Sequence, residues 1–264
     1  KASFVRAGFF SDVDAALCVH ASRDGHILTC PSLACAPVDI EFHGRASHAA
    51  SAPEKGINAL DALIAVYNLI NALRQHLTSD VRIHGIITHG GDVPNVVPEY
   101  AAAKFYLRAA TAPGLDAVYK KVQAIVQGAA LATGATGSMK PSQNRVDNTV
   151  ITPSFDAVYA QELSEFGLKA EPAESVKSIG STDVGNVSQV VPTIQPQIRI
   201  SPCPVAGHTE AFKKAAGSQM GLDSIGLGAK VLAATALRLI REPELLAAIK
   251  AEHRENVARQ GHEG

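Results

Sequence analysis

Between residues 38 and 145 the spacing of the apolar side chains switches from two to about three and a half and back again, and few folds accept that rhythm. VDIEFH (38–43) sets Val, Ile and Phe alternately against Asp, Glu and His, the pattern of a half-buried strand with one wet face. Pro53 and Gly56 punctuate a loop. From Ile57 the apolar positions run Leu60, Leu63, Ile64, Tyr67, Ile70, Leu73 and Leu77, a helical stripe of about 20 residues. VRIHGIITHGG (81–91) reads as a second strand closed by a Gly-Gly turn. AAAKFYLRA (101–109) reads as a third, with Ala103, Phe105 and Leu107 on one face and Lys104, Tyr106 and Arg108 on the other. Thr111 and Pro113 signal a helix start, and Leu115, Val118, Val122, Ile125 and Val126 follow as its buried stripe. With a closing strand within 135–145, the order β-α-β-β-α-β predicts two helices backing one antiparallel sheet, a compact α+β layer.

Around Asn148–Pro153 the composition resets. Thr152 and Pro153 start a helix carrying Phe155, Val158, Tyr159 and Leu163, which Gly167 ends. Residues 178–201 mix Gly, Ser, Thr and Asp with short β-branched runs, as loops of a site between strands do. The tail from Gln219 is helical, is broken by Pro243 and ends polar. AALCVH (15–20) is another strand candidate, ending on His20. Residues 1–37 and 150–264 therefore form one α/β domain, and 38–149 is inserted in it.

Hydrophobic residues make up 46% of the 264 and charged residues 19%, enough apolar content for a sizeable core and too little charge for a disordered chain. A net charge of -1 with no basic cluster excludes a nucleic-acid footprint and gives no sign of a membrane surface. No uninterrupted apolar run reaches about 18 residues, so no membrane span is expected. Cys18, Cys30, Cys35 and Cys203 lack CxxC spacing and read as free thiols of a reducing, cytoplasmic compartment. The opening KASFVRAGFF has neither a signal pattern nor an initiator methionine, and is expected to continue something longer.

Three of the ten histidines invite chemistry. His20 ends an apolar strand, either as a ligand-facing side chain or as one satisfied by backbone. His208, in PVAGHTEAF, is either a ligand beside the permissive Gly207 or a residue of the loop before a helix. His48 stands among Ala46, Ser47, Ala49 and Ala50, small residues that leave space for contact outside the core. The others read as ordinary: His43 and His84 on solvated strand faces, His26 and His89 in loops, His76, His253 and His262 on polar helix surfaces or in the tail. Asn95, between two prolines, is a turn residue or a binding one. Arg108 is an exposed strand arginine or, with its planar fork, an anchor for a carboxylate. There is no GxSxG, P-loop, GxGxxG or HExxH.

Taken together, GRASHAASAPEKGINALDA, GGDVPNVVPEYAAAKFYLRA, GSTDVGNVSQVVPTIQP and AGHTEAF occur in the order and spacing of a dinuclear metallo-amidohydrolase family. It includes aminoacylase and carboxypeptidase G. The chain most resembles the branch of aminobenzoyl-glutamate hydrolase and the β-alanyl-lysine-type dipeptidases, chiefly through GSTDVGNVSQVVP and VYNLINALRQ. The resemblance implies an α/β, zinc-exopeptidase-like catalytic domain, here incomplete, and a ferredoxin-like lid that also makes the homodimer. It implies that His48 reaches into the partner's active site to stabilise the oxyanion. Asn95 and Arg108 resemble the pair that binds substrate carbonyl and carboxylate, and Gly180, Ser181 and Thr182 the loop lining the carboxylate pocket. His20 and His208 resemble ligands to two divalent metal ions, zinc first, with manganese and cobalt behind it. The family's His-x-Asp and Glu-Glu elements precede the position of Lys1. The implied reaction is hydrolysis of an amide or peptide bond in a small carboxylate-bearing substrate, namely a dipeptide, an N-acyl amino acid or an aminobenzoyl-glutamate-like compound. This chain alone is expected to be inactive and to hold metal weakly if at all. The alternative is a non-catalytic dimerisation or carboxylate-binding module.

Overall fold

The computed structural model describes residues 1–22, 24–173 and 180–260. Ser178 and Ile179 of the loop-rich stretch, and His262, lie outside the described residues. In chain order the elements are α1 (Ala2–Arg6), β1 (Ala16–Leu17), β2 (His20–Ser22), β3 (Ala34–His43), α2 (Ala59–Leu73), β4 (Arg82–His89), β5 (Tyr100–Ala109), α3 (Ala112–Thr133), β6 (Thr136–Pro141), α4 (Pro153–Glu165), α5 (Val184–Ser188), β7 (Thr193–Ile194), β8 (Gln197–Arg199), α6 (Glu210–Ala216), α7 (Gln219–Arg241) and α8 (Pro243–Gln260). They divide into two compact units, Leu33–Val146 and Lys1–Ser32 with Asp147–Gly264.

The inserted unit is the expected β-α-β-β-α-β layer, with an antiparallel sheet in the order β4-β5-β3-β6. Its central ladder pairs Ala34 with Ala109 and runs to His43 opposite Tyr100. Alternation fixes the faces: Val38, Ile40 and Phe42 of β3 and Ala103, Phe105 and Leu107 of β5 are buried under both helices. Leu63, Val66 and Ile70 of α2 and Leu115, Val118, Val122 and Val126 of α3 complete one continuous core. At about 1.5–3 kcal/mol for each fully buried large side chain, that core gives the unit its own cohesion.

Local chemistry sets the helix ends. Asn58 accepts from the amides of Leu60 and Asp61 at 2.9 and 3.2 Å and starts α2. Thr111 caps α3 through the Gly114 amide, and Gly134 ends it at φ +76°. The sequence stripe of α2 needs one correction. Ile64 is exposed, and Ala62 and Val66 join Leu63 and Ile70 on the buried face, which is centred one position away from Ile64.

In the other unit AALCVH is not one strand. β1 pairs in parallel with β7 and β2 in parallel with β8, so His20 begins a second short strand instead of ending the first. Phe155, Val158, Tyr159 and Leu163 of α4 pack with Ile194, Val231, Leu239 and Ile249. His253 is 4% exposed, not on a polar surface. The polar sequence of α8 concealed an inward pair four residues apart, Ile249 and His253. By length and composition, with a mean hydropathy of 1.3, α7 is long and apolar enough to cross a membrane, as a core helix of a globular protein can also be. Lys230 and Asp223 break the apolar run in the sequence without lowering the average enough. One stripe of α7, Gly228, Val231, Thr235 and Leu239, is buried as in an ordinary core helix.

Candidate functional site

His48 follows β3 in a loop held on both sides. Arg45 and Ile57 exchange two backbone hydrogen bonds of 2.9 Å, and the Arg45 side chain donates to the Lys55 carbonyl at 2.6 Å. Gly44 makes that crossing possible, since a Cβ there would sit 2.0 Å from the Ile57 oxygen. On the other flank His48 bridges Val96, with the Ala49 amide donating to Asn95 O at 3.0 Å and the Val97 amide to Ser47 O at 2.9 Å. His48 and Asn95 are therefore neighbours on adjoining backbone, brought together although 47 positions apart in the chain.

The imidazole is exposed but not loose. Its Nδ1 accepts the amides of Ala50 and Ser51, both at 3.2 Å. An Nδ1 that accepts cannot carry the hydrogen of a neutral ring, so the tautomer assigned by this network has its N–H at Nε2. The small residues around His48 thus let the following turn fold back onto the ring, where the sequence suggested only open space.

Arg108 lies elsewhere. It sits at the far end of β5, opposite Cys35 on one side and Arg82 on the other. Asn95 precedes the opposite end of the strand. The eight steps from Tyr100 to Arg108 already span about 26 Å at the usual rise. Within one inserted unit Asn95 and Arg108 therefore lie toward opposite ends of β5. The half-buried guanidinium of Arg108 stands 5.7 Å from the ring centroid of Tyr106, and that ring stacks on His84 at 5.7 Å and 3°. Alternation along the strand put Tyr106 on the polar face and pointed to no further part for it. Burial, with Arg108 and then Arg74 nearby, lowers the pKa of His84.

In the other unit His20 is exposed, and its Nδ1 lies 2.8 Å from the Ala21 carbonyl. A carbonyl only accepts, so Nδ1 carries the hydrogen and Nε2 keeps its lone pair, the state a metal ligand needs. His208 is the one non-glycine among the described residues with positive φ, +59°. It is exposed in the loop after β8, beside Thr209, which caps α6 through the Phe212 amide. Thr182 spends its hydroxyl on the Val184 amide at the start of α5, Gly180 is exposed, and Ser181 is half-buried. Among the described residues no three His, Cys, Asp or Glu side chains come together as a metal group. Two single histidines do not fill a four-coordinate zinc site, and do not fit a dinuclear one.

Residues 36–133 match the family model of the peptidase dimerisation domain of M20 enzymes. The chain is 35% identical over 254 residues to the Xaa-Arg dipeptidases of Mus musculus and Homo sapiens, which covers 96% of this chain and 58% of each relative. It is 28% identical over 312 residues to a p-aminobenzoyl-glutamate hydrolase chain of Escherichia coli, covering 97% of this chain and 64% of that protein. A solved aminobenzoyl-glutamate utilization protein from Klebsiella pneumoniae shares the fold at TM-score 0.69 and 20% identity, over 89% of this chain and 57% of that one. The similarity to the M20 peptidase dimerisation domain thus covers most of the inserted unit, and the chain spans 58% of the length of the dipeptidases it matches.

Proposed function

We propose that this chain is the lid and part of the catalytic domain of a homodimeric hydrolase that cleaves an amide or peptide bond in a small carboxylate-bearing substrate. The classes are dipeptides, N-acyl amino acids and aminobenzoyl-glutamate-like compounds. The observation that carries the reading is the tautomer of His48: two backbone amides on Nδ1 keep an N–H at the exposed Nε2. Water adding to the scissile carbonyl carbon turns its oxygen into an oxyanion, and a donor already oriented there lowers the barrier without reorganising. The Asn95 side chain, on the adjoining backbone, adds a second polar group.

Arg108 anchors the substrate carboxylate in this reading. Its separation from His48 and Asn95 supports a site that takes these residues from two lids. The dimer then forms through the edge strand β4, where Ile86 is 64% and Ile87 43% exposed, and the neighbouring exposed Ile64 and Leu69 of α2. His20 and His208 each give one ligand to a divalent ion, zinc before manganese or cobalt. They leave each ion short of ligands, so the 264-residue chain by itself does not turn over substrate. A second reading is a carboxylate-binding dimerisation module without catalysis, in keeping with the lack of a three-residue metal group among the described residues.

A panel of dipeptides, N-acyl amino acids and aminobenzoyl-glutamate separates the readings. It is assayed with zinc on the chain alone and on the chain fused to the complementary segment of a matched relative. Turnover is expected only from the fusion, and His48→Ala lowers it by about a hundredfold with dimerisation intact. Turnover by the chain alone, or an unchanged rate in the variant, overturns the proposal. A fusion that dimerises and binds substrate without turnover points to the module.

A further inference from the structure

The unit of Lys1–Ser32 and Asp147–Gly264 contains a cavity of about 430 Å³, within the range of cavities that hold small organic ligands. None of the candidate metal ligands or substrate contacts lines it. Its walls come from α1 and the segment after it, from Val190–Pro192 and from one face of α8. Val5, Phe10, Val13, Val191 and Pro192 make most of the lining apolar.

The polar groups are few and unequal. Lys250 is already engaged, with Nζ 2.6 Å from Asp14 Oδ1. Arg254, one helical turn further along α8, lines the same cavity and has no ion-pair or hydrogen-bond partner among the described residues. His253 lies between them and is 4% exposed. Its Nε2 is 2.7 Å from the Ser188 carbonyl, so Nε2 carries the hydrogen. The Nδ1 of the neutral ring is then an acceptor. A nearly buried histidine that keeps an acceptor nitrogen, on the wall of a cavity that also carries an exposed guanidinium, gives the cavity one acceptor and one cation to offer a ligand.

We infer that this cavity binds a small carboxylate with an apolar body and an N–H donor. The carboxylate meets Arg254, the apolar body fills the wall of Phe10, Val13 and Val191, and the N–H donates to Nδ1 of His253. Lys250 and Asp14 cancel each other and set the rim. The inference is independent of the hydrolase reading, because neither the lid nor His20 or His208 takes part in it.

The probe is indole-3-propionate, which has all three features, titrated into the 15N-labelled 264-residue chain and followed by amide chemical shifts. Saturable shifts are expected at Phe10, Val13, Val191 and His253. Arg254 is exposed, so Arg254→Gln leaves the fold alone and is expected to weaken binding about tenfold or more, as loss of a charge-assisted contact does. Two ligand changes avoid mutation altogether. 3-Methylindole, without the carboxylate, loses the same contact. The N-methylated probe, without the donor, leaves His253 unpaired and binds about tenfold more weakly. Absence of saturable shifts, saturation at other residues, or equal affinity of the parent for the N-methylated probe and of Arg254→Gln for the original overturns the inference.

Discussion

Replacing Asp156 with asparagine tests how the core around α4 handles a buried carboxyl group. Asp156 is 4% exposed, and its Oδ1 accepts the amide and the hydroxyl of Thr29 at 3.2 and 2.6 Å. Burial raises its pKa from 3.8 to about 6, outweighing the Thr29 hydrogen bonds, which act in the opposite direction. An acid with a raised folded pKa keeps its proton longer in the native state than in the unfolded chain. From about pH 4 to pH 6 the native state then binds more protons, and stability falls as pH rises. Above about pH 6 that loss is complete. A shift of about two pKa units corresponds to about 3 kcal/mol. The asparagine side chain keeps an acceptor for both Thr29 donors and has no proton to lose. Urea denaturation of parent and Asp156→Asn at pH 4, 5, 6 and 7, followed by far-ultraviolet circular dichroism, gives a difference in which other titrations cancel. That difference is expected to move by about 2 kcal/mol in favour of the variant as the pH rises from 4 to 7, since part of the unfolded chain's group is already ionised at pH 4. A difference that stays flat with pH would refute the account, since it would mean that the carboxyl ionises in the fold as it does in water.

Other perturbations address the inserted unit. Asn58→Ala removes the two bonds that start α2 and should lower stability by about 1 kcal/mol in a urea titration, with Asn58→Ser recovering most of it. Gly44→Ala drives a Cβ against the Ile57 backbone and should cost about 1–3 kcal/mol, with faster hydrogen exchange at Ala49 and Val97, whose amides pin the His48 loop. An unchanged exchange pattern there would show that the loop is held by other means. Ile86→Lys places a charge on the exposed edge strand and should shift sedimentation from dimer toward monomer while the circular dichroism spectrum stays the same.

Much of the inserted unit was legible in the sequence, because the signals are local. Period-two strands, a 3.6-residue stripe, and Thr111 with Pro113 at the start of α3 each follow from steric and hydrogen-bonding preferences within a few residues. The other unit was less legible. Its strands are two or three residues long and owe their existence to parallel partners about 175 positions away, as in Ala16 opposite Thr193 and His20 opposite Gln197. A single apolar run such as AALCVH carries no mark of where such pairing will break.

The sequence by itself determined which residues have the chemistry, and the grouping of small residues around His48. The tertiary structure decided how those residues can be used. Backbone amides of the following turn chose the His48 tautomer, and strand register set Arg108 at the other end of the sheet from Asn95. Helix packing put His253 inside and left Arg254 at a cavity mouth. Each outcome depends on a contact between distant positions, and no propensity of a residue or its neighbours encodes the partner it will meet.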